Sequence, residues 1–167
     1  MKSTILTVAY DAMIFAIEKH KTQVRKYTNC PYADHLAQVA GITASVNQSP
    51  IAIAVAWLHD CMEDQEVGYD ELEDRFGIVV ANGVQWLSDM ETGNRKTRKE
   101  LSRKRLSLAP SWVQDIKCAD LISNTSSIVM HDQKFAVTYL EEKRLLLDVL
   151  TGANENLIRI ARGHICG

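Results

Sequence analysis

Apolar residues recur at spacings of three and four along nearly all of this chain, and only three prolines and eight glycines interrupt them in 167 residues. That spacing lines one face of an α-helix, and so few breakers favour long helices over many short strands. Ile5, Val8, Ala12, Phe15 and Ala16 form such a stripe over residues 4–19, and Leu36, Val39, Ala40 and Thr43 form another over 33–46. Between them, residues 21–31 are basic and polar and read as a loop. Asn47-Gln48-Ser49-Pro50 stops the second helix, with Ser49 placed to cap the next and Pro50 in its first turn. Residues 51–62 are apolar on nearly every side until His59, as a central buried helix requires. Tyr69–Phe76 closes at Gly77, Ile78–Leu87 follows, and 91–104 is dense in charge. Residues 112–130 and 133–150 are long helical patterns, and Gly152 and Asn154 precede a last helix over 155–161. No run of period-two alternation stands among them. The expectation is an all-α fold, a single domain over residues 1–167 built as a bundle of about eight helices.

A formal net charge of −2 and a pI near 6.2 argue against a sequence-independent grip on duplex nucleic acid, which needs a dominant basic face. The longest apolar run, residues 51–58, is far too short to cross a bilayer, so no membrane role is expected. Cys30, Cys61, Cys118 and Cys166 form no C-x-x-C pair, and Cys61 and Cys118 sit in apolar stretches where cysteine acts as a small buried hydrophobe. Residues 1–4 lead into a periodic segment interrupted by Asp11, unlike a secretory apolar core. A reduced, cytoplasmic protein is the expected setting.

The sharpest chemical feature is Leu58-His59-Asp60-Cys61-Met62-Glu63-Asp64. A buried helix avoids unpaired polar groups because each costs free energy. Here four ionisable residues arrive together at the end of one. His59 and Glu63 are four apart, as are Asp60 and Asp64, so each pair is expected to stack on one helix face. A metal ion would offset the carboxylate charge and accept imidazole nitrogen. A second His-Asp pair, His131-Asp132, lacks the Glu-Asp echo and reads as a helix junction with Asp132 as N-cap. Further ligands should come from other helices, and His35 and Asp120 each lie in a helical pattern. Taken singly, His35 reads as a structural histidine and Asp120 as a helix partner of Lys117. Their order, His…His-Asp…Asp, favours a shared ion.

In these residues the chain resembles the HD-domain superfamily of metal-dependent phosphohydrolases. Within it the chain is similar to the alarmone hydrolases of the RelA/SpoT type, above all the short stand-alone kind related to the metazoan SpoT homologue. The resemblance runs from about His20 to Leu157. It rests on 19–26, Pro31-Tyr32-Ala33-Asp34-His35, the His59-Asp60…Glu63-Asp64 segment, 70–77, Arg103-Lys104-Arg105-Leu106 and 117–124. It implies His35, His59, Asp60 and Asp120 as ligands, usually of Mn²⁺, a donor set that would also take Zn²⁺ or Fe²⁺. It implies Glu63 and Asp64 as the carboxylates that activate and orient the attacking water. Arg25, Lys26, Asn124 and Tyr139 match its substrate-binding positions. The implied reaction removes the 3′-pyrophosphate of guanosine tetra- or pentaphosphate to give GDP or GTP.

The basic run from Arg95 to Arg105 has two readings: a solvated helix face, or a source of one or two cations for the outer phosphates. The chain departs from the family's pattern at Leu36, Tyr27, Ser126 and Leu121-Ile122-Ser123, which bears on base and phosphate recognition and not on the ligands. Two alternatives therefore stand beside the main reading. One keeps the site and changes the nucleotide, to NADPH or a deoxynucleoside triphosphate. The other is a nucleotide sensor without turnover, which would have no use for Glu63 and Asp64.

Overall fold

The computed structural model describes residues 4–165 apart from Leu6, so Cys166 lies outside the described residues. Among them every regular element is a helix, and the one β feature is an isolated antiparallel bridge between Val24 and Pro31 in the expected loop. The helices are α1 (Val8–Lys19), α2 (Tyr32–Val46), α3 (Pro50–Leu58), α4 (Cys61–Asp64), α5 (Tyr69–Phe76), α6 (Ile78–Leu87), α7 (Arg95–Ser107), α8 (Ser111–His131), α9 (Gln133–Leu147) and α10 (Glu155–Gly163). Ten segments exceed the expected eight or so, most visibly because the helix expected over 51–62 is divided into α3 and α4.

The division has a local cause. His59 Nδ1 donates to the Ala56 carbonyl at 2.8 Å, the carbonyl that a continuing helix would offer to the Asp60 N–H. Asp60 then sits at φ −99°, ψ −1°, and the chain resumes helix with Asp64 N–H bonded to the Asp60 carbonyl. Periodicity does not reveal such a break, because the apolar pattern runs straight through it.

The centre of the bundle is α3. Ala52, Ala54, Val55, Ala56 and Leu58 are all buried, and the helix packs against α1, α2, α6 and α8. Its alanines let the neighbours approach closely, while Leu36, Leu58, Leu72 and Leu106, all fully buried, fill the space between elements. Each such leucine contributes about 1.5–3 kcal/mol through removal of apolar surface from water. Gly83 marks the tightest approach: a Cβ there would meet Trp112 at 2.7 Å and Val55 at 2.8 Å. Gly77 joins α5 to α6 at φ +90°, a conformation that disfavours side chains.

Helix ends follow the sequence signals unevenly. Asp132 caps α9 as expected, accepting from the Phe135 N–H at 3.1 Å. Ser49 occupies the N-cap position of α3 but makes no side-chain cap, contrary to the expectation; Pro50 in the first turn leaves one fewer orphan donor there. The net result places the C-terminus of α3 against the first turns of α2 and the middle of α8, and the site is built at that junction.

Candidate active site

Three helices each bring a group to one point. α2 contributes His35 from its first turns, α3 ends in His59 and Asp60, and α8 contributes Asp120 from its buried middle. Ligand atoms of His35, His59 and Asp120 lie within 4.8 Å of one another, and all three residues are buried. Asp60 Oδ2 joins them, 2.9 Å from His59 Nε2 and 3.5 Å from His35 Nε2. Asp120 Oδ1 is 3.5 Å from His35 Nε2 and 4.0 Å from His59 Nε2.

Both imidazole Nε2 atoms are buried and make no hydrogen bond. A buried polar nitrogen without a partner is costly, and two facing the same carboxylates are hard to explain as packing. The charges point the same way. Among the described residues, Lys117 is the one lysine or arginine paired with either carboxylate, its Nζ 2.8 Å from Asp120 Oδ2. One ammonium leaves one negative charge of the two to be balanced by a protonated imidazole or a bound cation, since an unpaired buried charge is strongly destabilising. Burial works against a charged His59, yet Asp60 and Asp120 overcome it and raise its pKa to about 9. Burial likewise opposes ionised Asp60, but His59 and His35 hold it well below the ordinary carboxylate range. The site thus attracts positive charge, and two imidazoles with two carboxylates fit a divalent metal ion.

The surrounding side chains hold these groups in place. Tyr32, one turn before His35 on α2, donates its hydroxyl to Asp60 Oδ2 at 2.7 Å. Asn124 Nδ2 donates to Asp120 Oδ1 at 2.6 Å, and its Oδ1 accepts from Arg25 Nη2 at 3.3 Å. Arg25 also donates to the Ser123 carbonyl at 3.1 Å, so it stands directly beside the cluster.

Glu63 and Asp64 follow in α4, and each has a partner of its own. Glu63 Oε2 accepts from the Asp89 N–H at 3.0 Å, and Asp64 Oδ2 accepts from Gln23 Nε2 at 2.9 Å. Crowding by the protein raises the Glu63 pKa, with the Asp89 N–H opposing it. Lys26 lies over the Tyr27 ring, its Nζ 3.2 Å from the Tyr27 hydroxyl, and not against the imidazole–carboxylate cluster. Tyr27 in turn donates to Asp132 at 2.9 Å and stacks on His131. Tyr139 is buried beside α8, its hydroxyl 3.5 Å from Thr125 Oγ1.

The basic run divides. Arg95 is bidentate to Glu142, Lys99 pairs with Asp89 at 2.8 Å, and Arg105 is held by Asp89, Glu91 and the Trp86 carbonyl. Lys96, Arg98 and Lys104 are exposed. Lys99 and Arg103 line a recess with Lys117 and Lys143. Burial, and then Lys117, lower the Lys143 pKa to about 8. Tyr32, Ser123, Gln38 and Lys143 are functional candidates that the sequence reading did not single out. Tyr32 had a legible signal, because it shares a helix face with His35. A cavity of about 540 Å³ between α9 and α10 holds none of the convergent ligand groups.

The chain is similar to several known proteins. The model of the family described as the HD domain matches residues 12–119. A guanosine-3′,5′-bis(diphosphate) 3′-pyrophosphohydrolase of Drosophila melanogaster is 26% identical over 156 residues, covering 88% of this chain and 87% of that protein. A protein of the same name from Aquifex aeolicus is 32% identical over 124 residues, which is 72% of this chain but 18% of that protein's length. A solved structure of a metazoan orthologue of SpoT, described as hydrolysing ppGpp, superposes with a TM-score of 0.88 at 23% identity, covering 98% of this chain and 96% of the other.

Proposed function

This chain belongs to the HD domain family, and on that premise we propose that it is a metal-dependent hydrolase that removes the 3′-pyrophosphate of guanosine tetra- or pentaphosphate. The observation that carries the metal part is the pair of buried, unbonded Nε2 atoms facing Asp60 and Asp120. His35, His59, Asp60 and Asp120 would hold the ion, with Mn²⁺ the favoured occupant and Zn²⁺ or Fe²⁺ compatible with the same donors. The ion, when bound, supplies a positive charge that polarises a phosphoryl oxygen and acidifies water.

The chain's own residues supply the rest. Glu63 stands at the rim with a raised pKa, which makes its carboxylate a better proton acceptor near neutral pH. Asp64, oriented by Gln23, offers a second oxygen to align the same water. The bond from the ribose 3′ oxygen to its phosphorus breaks, water oxygen joins the departing pyrophosphate, and the 3′ oxygen gains a proton. Arg25 and Asn124 would fix the nucleotide beside Asp120. Lys143, Lys99 and Lys117, with Asp89 and Glu142, line a narrow recess whose cations would draw phosphate charge toward its mouth. On the far side of Arg25 a cavity of about 270 Å³, with Ser126 and Ser127 in its wall, is suited to the nucleoside. Lys26 and Tyr139 enter this reading as outlying contacts. The setting proposed is cytoplasmic.

Purified protein given Mn²⁺ and ppGpp should release pyrophosphate and GDP. Absence of release from protein shown to hold metal sinks the substrate assignment. A second reading, the same chemistry on another nucleotide, draws on the serine-lined wall near Arg25, which carries no second cation at Ser126. Turnover of NADPH or a deoxynucleoside triphosphate in place of ppGpp would select it.

A further inference from the structure

Each imidazole must present a lone pair, not a hydrogen, if it is to bind a cation through Nε2. For His59 the outer nitrogen settles the matter, since Nδ1 faces the Ala56 carbonyl at 2.8 Å and a carbonyl only accepts. His35 has no such simple partner. Its Nδ1 lies 2.8 Å from Ser123 Oγ, and a hydroxyl can either donate or accept.

The ambiguity is removed two groups further out. Ser123 Oγ lies 2.8 Å from Gln38 Oε1. Gln38 Oε1 is also 3.4 Å from Arg25 Nη1, and a guanidinium has only donors to offer. Turned the other way, the amide would set its NH₂ against that guanidinium, donor against donor. Arg25 therefore keeps the amide oxygen toward Ser123. The single hydroxyl hydrogen goes to that oxygen, and Ser123 has only lone pairs left for His35. Nδ1 then carries the hydrogen and Nε2 is left with its lone pair, buried and unbonded beside Asp60 and Asp120.

We infer that Gln38 and Ser123 are positioning residues that set the tautomer of His35 and so prepare it to bind a divalent cation. The inference rests on the metal reading of the site and goes beyond it, since neither residue touches the ion or the reacting atoms. Partners of this kind on the outer nitrogen of a ligating histidine typically change metal affinity by about 10–100-fold when removed.

Gln38 gives a clean test, because its side chain is exposed on α2 and the fold does not depend on it. Gln38→Met keeps length and loses the acceptor, so the Ser123 hydroxyl is free to donate to His35. Gln38→Glu keeps the acceptor. Mn²⁺ alone is titrated into wild type and both variants by calorimetry. The Met variant should bind about 10-fold more weakly or worse, while the Glu variant should match or exceed wild type. Nitrogen-15 spectra of metal-free wild type should show the His35 hydrogen on Nδ1. Equal Mn²⁺ affinity in all three proteins, equal loss in both variants, or the His35 hydrogen on Nε2 overturns the relay while leaving the metal site standing. Wild-type protein that binds none of Mn²⁺, Zn²⁺ or Fe²⁺ overturns the metal reading and the relay with it.

Discussion

Glu63 and Asp120 stand in different surroundings. Glu63 is at the rim and hydrogen-bonded to a backbone N–H, whereas Asp120 is buried and shared among Lys117, Asn124 and the histidines. Replacing Glu63 by Gln should therefore lower kcat by about 10²–10⁴-fold, the usual range for a lost proton acceptor, with Mn²⁺ affinity unchanged. Unchanged kcat would remove Glu63 from the chemistry. Lys117 is a different case. Lys117→Met strips the one ammonium from a buried carboxylate, and losses of about 3–5 kcal/mol follow such changes. Denaturation of the metal-free variant should show that loss, and saturating Mn²⁺ should return part of it. The sequence made Asp120 legible both as partner of Lys117 and as ligand, and the geometry holds the two together. It did not make Gln38 or Ser123 legible, because their meaning lies in contacts across 85 positions of chain.

At the scale of elements, α3 and α8 are the parts on which the site depends. The all-helical pattern and most helix bounds were readable from spacing, since burial of α3 and the stripes on α1 and α2 leave a periodic trace. The break between α3 and α4 was not, because a side chain causes it: His59 takes the Ala56 carbonyl. Just beyond it, Glu63 accepts from the Asp89 N–H and Asp64 from Gln23. Asp89 connects that region to α7, through Lys99, Ser102 and Arg105. Burial opposes its charge, yet Lys117 and then Lys99 keep its pKa below the ordinary 3.8. A lowered carboxylate pKa means the folded state binds fewer protons than the unfolded. Its contribution is complete above the ordinary aspartate range and is lost as pH falls through the folded-state value. Asp89→Asn should therefore flatten the decline in stability below pH ~4, the region where this linkage acts. Acid titrations followed by circular dichroism that run parallel for the two proteins would remove Asp89 from that role.

For the molecule as a whole, the proposed ligands come from separate helices, so metal binding would be coupled to folding. An ion that binds the native state alone, at 100 times its Kd, adds about 2.7 kcal/mol. Melting should move upward on titration with Mn²⁺ and return on chelation, and a midpoint indifferent to both would contradict the ligand set. The same construction makes the centre sensitive to events far from it. Gly83 leaves room for the Trp112 ring, and Trp112 stands at the start of the helix that bears Asp120 two turns on. A single methyl at position 83 would press on that ring. Either α8 yields, dragging a carboxylate out of register with its imidazole neighbours, or α6 does. Tolerance of bulk at one remote contact is thus a constraint on how finely an ion can be gripped.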